Sequence, residues 1–391
     1  MGKTGSDLKR LMARLKELRE GTGLSAQEVE DRLILGPGWV SRFEAARTIP
    51  SVSMILAILS LLGKSIRDLV QDLPAQAAPH QLERQVYAEA SGKDLLIRFA
   101  YGDYDAVYEL PNATTDEFNE VLKTLRDGLS RLTNPNDTAG QAIKTDAVAK
   151  AFLKAAEVWP QANPSDIWWF LIYRAYCDPF NHPARFARMD FTQSWKRTGG
   201  WALEEVLVRH YGSFLRKQCI KLFIAPSQTK DKLLKTVLAG ERLEAAKADV
   251  LLSGMPGKAE KFFGVVHVKA SFAERRTDDV PMSRALIAGG YFSPLWTMDC
   301  KSMPSSRPVN KGELGLGFSP GSDERSAKRR DIEDDGYFSA CFSYNQRTVP
   351  TRAEQKAKAP VIVCDFRNPD DQFSEFVVSA WEKFQKNGKA G

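Results

Sequence analysis

Lys269 closes an apolar run from Phe262 to Val268 and is followed at once by acids and arginines: Glu274, Arg275, Arg276, Asp278 and Asp279. Upstream, Asp249 stands at the mouth of a second apolar run that begins at Val250. An amphipathic segment before both carries Glu204 and Glu205. Acids and a lysine gathered at the ends of neighbouring strands suit metal-assisted cleavage of a phosphodiester, the chemistry of a DNA-cutting enzyme. That reaction needs a divalent cation to neutralise developing charge and lower the pKa of the attacking water, and it gains from an ammonium beside the scissile phosphate. Mg2+ is a hard ion that takes carboxylate oxygens, so acids must converge beside the lysine.

Asp249 and Lys269 would meet if the two apolar runs pair as a hairpin with its loop around Gly254 to Lys261. Two positions before the lysine stands His267, where such sites commonly carry an acid; Glu274 is available to supply that carboxylate. Glu204 is preferred to Glu205 as an outer ligand, because Trp201, Leu203, Val206 and Leu207 mark an apolar side next to it. Each residue alone has a blander reading: a strand-mouth aspartate as a cap, a strand-end lysine as a solvated charge, two glutamates as a wet helix face. Their order, with apolar strands between them, favours catalysis. Asp299 and Lys301 make a literal D-x-K at another strand end and rank second, since Lys269 is the nearer hairpin partner for Asp249.

The elements that must position these groups follow from pattern. At 391 residues the chain is long enough for two or three domains, and 43% hydrophobic with 27% charged residues is an ordinary globular balance. A formal net charge of +6 agrees with a polyanionic partner without locating one. The five cysteines are scattered with no C-x-x-C pair, and only four histidines are present, so packed, reduced thiols are expected rather than a disulfide framework or a zinc site. The apolar stretch Met54 to Leu62 is far too short for a membrane span, and Met1 to Arg19 alternates basic residues with leucines instead of forming a secretory signal. A soluble, cytoplasmic protein is expected.

Residues 1–73 read as short helices. Leu8, Leu11, Leu15 and Leu18 share a face, Gly21 and Gly23 stop the helix, and Ser25 with Glu28 offers a capping box. Residues 36–38, Gly-Pro-Gly, break the chain, and Ser51 opens a fourth helix. A linker follows at 74–80. Residues 80–133 suggest a small α+β module, a hairpin around Gly102 and then a helix. A second linker from Asn134 leads into a mixed α/β unit over 142–391, in which 304–335 reads as a long, charged surface loop. The expected fold class is multidomain: all-α, then β-β-α, then α/β.

Ser25, Glu28, Val29, Arg32, Leu33, Val40, Ser41, Arg42, Phe43 and Glu44, followed by Ile49, Pro50 and Ser51, resemble the Xre/Cro-type helix-turn-helix domain without a gap. That resemblance implies Trp39, Ser41 and Arg42 near DNA. Three positions depart from the pattern: Ala26 replaces a phosphate-contacting Gln, Glu30 a small residue, and Gly-Pro-Gly the polar start of the recognition helix.

Lys269, Ser271, Glu274, Arg275, Asp278, Asp279, Pro281 and Ser283 together resemble the motif of the BsaWI-like type II restriction endonucleases, relatives of the CCGG-cutting enzymes in the PD-(D/E)XK superfamily. The resemblance implies a restriction-endonuclease-like C-terminal domain, with Asp249, Lys269 and Glu274 at the metal and Glu204 in support. It further implies that the segment after the lysine (Ser271, Arg275, Arg276, Asp278, Asp279, Ser283) reads bases in the major groove. Arginine can donate two bonds to a guanine edge, and a carboxylate can accept from cytosine N4. Ala248 and His267 stand where the superfamily carries a proline and a second acid. The reading is a Mg2+-dependent, site-specific endonuclease acting on double-stranded DNA as a homodimer, at a near-palindromic site containing CCGG. The alternatives are a transcriptional regulator with a ligand-sensing C-terminal domain, and a nuclease gated by DNA modification.

Overall fold

The computed structural model describes residues 4–46, 50–70, 86–101, 104–183, 189–237, 248–255, 257, 259–272, 276–300, 309–319 and 322–387, so the expected linker at 74–80 lies outside the described residues. The chain divides into two compact units, Met1–Glu83 and Arg84–Gly391.

The first unit comprises α1 (Thr4–Gly21), α2 (Ala26–Arg32), α3 (Trp39–Glu44), α4 (Val52–Leu61) and α5 (Ile66–Val70). Met12, Leu15, Val29, Val40, Phe43, Ile58, Leu59 and Leu69 form its core. The Ser25–Glu28 capping box is present in both directions. The departures at Glu30 and Gly-Pro-Gly explain each other. The buried Glu30 carboxylate accepts from Gly38 N at 2.9 Å and Val40 N at 2.8 Å, supplying the cap that Gly38 cannot. Gly38 itself sits at φ 76°, where a side chain would be strained.

The second unit opens with an antiparallel sheet of β1 (Val86–Ser91), β2 (Asp94–Tyr101) and β3 (Tyr104–Leu110), one strand more than the expected hairpin. There follow α6 (Thr115–Ser130), α7 (Thr138–Val158), a helix α8 over 164–177 with a π-helical middle, and the long α9 (Phe191–Lys217). The sequence separated 80–133 from 142–391. In the structure Leu95, Ile97, Phe118 and Leu125 join the same core as Phe152, Leu203, Val250 and Val266. The expected linker at Asn134 is a packed turn: Asp137 caps α7, and a Cβ at Gly140 would lie 1.7 Å from the Asn134 carbonyl.

Beyond α9 come β4 (Ile220–Phe223), α10 (Ser227–Val237), β5 (Val250–Gly254), β6 (Lys261–Lys269), α11 (Arg276–Ala288), β7 (Leu295–Thr297), β8 (Gly315–Ser319), β9 (Ser322–Arg325), α12 (Ala327–Glu333), β10 (Cys341–Ser343), β11 (Val361–Val363) and α13 (Gln372–Asn387). Six of these strands make a mixed sheet in the order β11-β10-β7-β6-β5-β4. It is antiparallel from β4 to β6 and parallel from β6 to β11. Along β5, Val250 and Leu252 face the main core while Leu251 joins Ala248, Val265, Met282 and Leu286 on the other side, the alternation a two-sided buried strand requires.

The expected surface loop over 304–335 is corrected within the described residues. It holds the β8–β9 hairpin and α12, where Arg329 and Glu333 are fully buried and pair at 2.8 Å. The charge density that suggested solvent is here internal ion pairing. All five cysteines are free thiols, with only Cys219 exposed. Among the described residues no helix is long and apolar enough to cross a membrane.

Candidate active site

The β5–β6 pairing sets Val250 opposite Val266, which brings Asp249 to the end of β6. Its Oδ2 accepts from Val268 N at 2.7 Å and lies 3.1 Å from Lys269 Nζ. A third residue closes the group. Asp279, in the first turns of α11, sets Oδ2 3.0 Å from the same ammonium and Oδ1 3.9 Å from His267 Nδ1. One ligand atom each from Asp249, His267 and Asp279 lies within 4.8 Å of the others.

Electrostatics keep these groups in definite states. Burial pulls the Lys269 ammonium down, but Asp249 and Asp279 together hold it above the ordinary lysine range, so it is a fixed cation. Burial lowers His267 to about 4, leaving it neutral; Nε2 pairs with Ser293 Oγ at 3.0 Å, and Nδ1 is buried without a hydrogen bond. Glu204 is pushed up to about 8, first by burial and then by the Asp249 carboxylate, against the pull of Lys230 and Lys269. It lines a cavity together with Lys230, whose ammonium bonds the carbonyls of Ala248 and Asp249. Glu205 instead pairs with Arg209 at 3.0 Å, and Arg209 also holds Asp146.

The carboxylates of Asp249 and Asp279 and a buried imidazole nitrogen lacking a hydrogen-bond partner fit a divalent cation. The acids supply hard oxygens, and their mutual repulsion would be relieved by the ion's charge.

The structure places the residues named from sequence in different settings. Asp249 and Lys269 come together, and Glu204 lines a cavity with Lys230, whose ammonium bonds the Asp249 carbonyl. Glu274 and Arg275 lie outside the described residues, as do the side chains of Arg276 and Asp278. Asp279 and Ser283 are both buried. Asp279 is buried against Lys269 instead of facing a groove, and Ser283 is fully buried, bonded to Ser293 Oγ at 2.8 Å. The signal was present: 279, 282, 283 and 286 share a helical face with Met282 and Leu286, both core residues. Ser271 is half-buried and lines a small pocket with Lys269, Asp279 and Lys328. Trp201 is 44% exposed, so the apolar side of α9 consists of Leu203, Val206 and Leu207 without it. The rival Asp299 is buried and fully engaged: it accepts from Glu313 N at 2.6 Å, Leu314 N at 3.3 Å and Thr348 Oγ1 at 2.9 Å. Lys301 lies outside the described residues. On the first unit, Trp39, Ser41 and Arg42 are exposed on α3, with Arg42 5.3 Å from the Trp39 ring centre.

The family described as "Helix-turn-helix domain" matches residues 10–73. The type II restriction enzyme AgeI of Thalassovita gelatinovora is 38% identical over 242 residues, which cover 60% of this chain and 83% of that protein. Among solved structures, the complex of the specific restriction endonuclease AgeI with DNA is 33% identical with a TM-score of 0.62, covering 73% of this chain and 99% of that one. The pre-specific BsaWI–DNA complex is 14% identical with a TM-score of 0.33, covering 69% and 94%.

Proposed function

Because this chain belongs to the family of the type II restriction enzyme AgeI, we propose that it is a Mg2+-dependent endonuclease that cuts double-stranded DNA at a near-palindromic site containing CCGG. The observation that carries the reading is the junction of Asp249, Lys269 and Asp279 at the shared end of β5 and β6. In this reading the second unit is a PD-(D/E)XK domain in which the acid usually found two positions before the lysine has moved to α11. The helix-turn-helix domain adds affinity or extra base contacts. The site would act in a cytoplasmic homodimer, each subunit cutting one strand of a twofold site.

The roles follow from the geometry. Asp249 and Asp279 would hold the cation, with Glu204 as the outer acid and Glu274, taken from the family motif, as a further ligand. The bound cation supplies an acidified water and charge neutralisation at the phosphate. Lys269, kept cationic, donates to a non-bridging phosphate oxygen and opposes the negative charge that builds as the phosphorus gains a fifth oxygen. His267, neutral, would offer its unpartnered Nδ1 to the same cation. Arg275, Arg276 and Asp278 remain the proposed base readers, with Ser271 at the edge of the pocket beside the lysine.

Purified protein with Mg2+ should convert plasmid DNA to discrete fragments, and sequencing their ends should return a CCGG-containing site. Lys269→Ala should abolish cutting and keep binding. Diffuse degradation, or full activity in that variant, would overturn the reading.

A further inference from the structure

Lys230 reaches the site from α10, an element that supplied none of the sequence candidates. The other lysines of that helix, Lys232 and Lys235, are exposed, whereas Lys230 is buried. Its ammonium donates to the carbonyl of Ala248 and, at 3.2 Å, to that of Asp249. Burying a lysine carries a desolvation cost, which a solvent-facing rotamer would avoid.

The surrounding backbone explains the arrangement. The β6 amides of Val265 and His267 point toward β7 and its approach, bonding Phe292 and Pro294, so the alternate amides face β5. Val268 N is the next of these, and it donates to the Asp249 side chain. The antiparallel ladder therefore ends one rung early, and the carbonyl that rung would have used belongs to Ala248. Lys230 takes it. The superfamily's proline would stiffen the chain at 248 through its ring; this sequence has alanine there.

We propose that Lys230 is a positioning residue of the cleavage site, clamping the Ala248–Asp249 backbone so that the Asp249 carboxylate stays turned between the Val268 amide and Lys269. The proposal rests on Asp249 belonging to the metal site. The lysine acts through that aspartate and touches no substrate atom. Glu204 supports the placement, since it lines the same cavity as Lys230.

The test measures Mn2+ binding to the full protein without DNA, alongside the Mg2+ dependence of plasmid cleavage, for Lys230→Met, Lys230→Gln, Lys230→Arg and Asp249→Asn. Lys230→Met should weaken Mn2+ binding by about tenfold or more, the scale for losing a group that orients a metal ligand. It should raise the Mg2+ concentration for half-maximal cleavage in proportion, while metal-free DNA binding is unchanged. Lys230→Arg, which keeps a cationic donor, should recover most of the loss, and Lys230→Gln, which keeps a neutral donor, should fall between. If Lys230→Met fails to fold by thermal melting, the Gln and Arg variants decide the matter. Unchanged Mn2+ binding in the folded Met or Gln variant, or a loss in the Arg variant equal to theirs, would overturn the proposal. Unchanged Mn2+ binding in Asp249→Asn would instead overturn the metal-site reading beneath it.

Discussion

Asp279 Oδ2 lies 3.0 Å from Lys269 Nζ, matching the 3.1 Å that separates Lys269 from Asp249, so one ammonium is shared by carboxylates from a strand mouth and a helix. In the proposed site the buried Asp279 therefore holds charge beside Lys269. Asp279→Asn is expected to lower single-turnover cleavage by about 100-fold or more, the scale of losing one preorganised electrostatic group. The position of the cut should stay the same. Relaxed sequence preference with an intact rate, read by sequencing the fragment ends, would return Asp279 to a reading role.

Glu204 and Glu205 are neighbours in sequence and line one cavity, but only Glu205 is paired with Arg209. Glu204 is raised to about 8, chiefly by burial and then by Asp249. Below that value a cation must displace its proton, so apparent Mn2+ affinity should rise with pH by up to about tenfold per unit and level off above pH 8. Glu204→Gln should flatten this slope. Glu205→Gln, which removes the pair with Arg209 and the weakest of the influences raising Glu204, should leave most of it intact. Equal slopes in all three proteins, from metal titrations across that range, would refute the assignment.

The hairpin that joins Asp249 to Lys269 was legible in the sequence because two apolar runs of strand length flank a turn, and pairing them antiparallel leaves one register that buries both. The helix caps at Ser25 and Ser51 were legible for the same local reason. What local pattern could not carry was partnership across the chain. Asp279 was read by its place in a motif when its helical face, shared with Met282 and Leu286, pointed inward. Lys230 has no distinguishing neighbour in sequence; its acceptors are the carbonyls at 248 and 249, far along the chain. The charged stretch ending near Asp335 looked solvated, because a composition count does not see that Arg329 and Glu333 neutralise each other in the interior.

Asp299 offers a stability test that is independent of the cleavage site. Burial raises its carboxyl to about 7, despite bonds from the Glu313 and Leu314 amides and the Thr348 hydroxyl. An unfolded aspartate titrates near 3.9. Between about pH 4 and pH 7 the folded chain therefore holds a proton that the unfolded chain has lost, and this group's contribution to stability falls as pH rises through that window. Asp299→Asn stays neutral throughout. The difference in unfolding free energy between native and variant should move in the variant's favour from about pH 4 to pH 7 and then stop changing. Urea melts at several pH values read this directly, because other titrating groups cancel in the difference. A difference that is flat, or that moves in the native protein's favour, would contradict the assigned state.

The helix-turn-helix unit supplies the last test. Its recognition helix exposes Trp39, 42% accessible, with Arg42 5.3 Å from the ring centre, while the buried Glu30 carboxylate already occupies the amides at the helix start. A phosphate approaching that end would meet a carboxylate, so contact should come through the exposed side chains and not through the helix terminus. Arg42→Ala should weaken binding of cognate and unrelated duplexes alike and reduce the slope of log affinity against log salt by about one, the signature of a lost phosphate contact. Trp39→Ala should weaken affinity with no change in that slope. Neither variant should alter the cut site, because the residues proposed to read bases lie in the other unit. A changed cleavage site in either variant, seen by end-sequencing, would make this domain a base reader. Unaltered affinity and salt dependence in both would remove it from DNA binding.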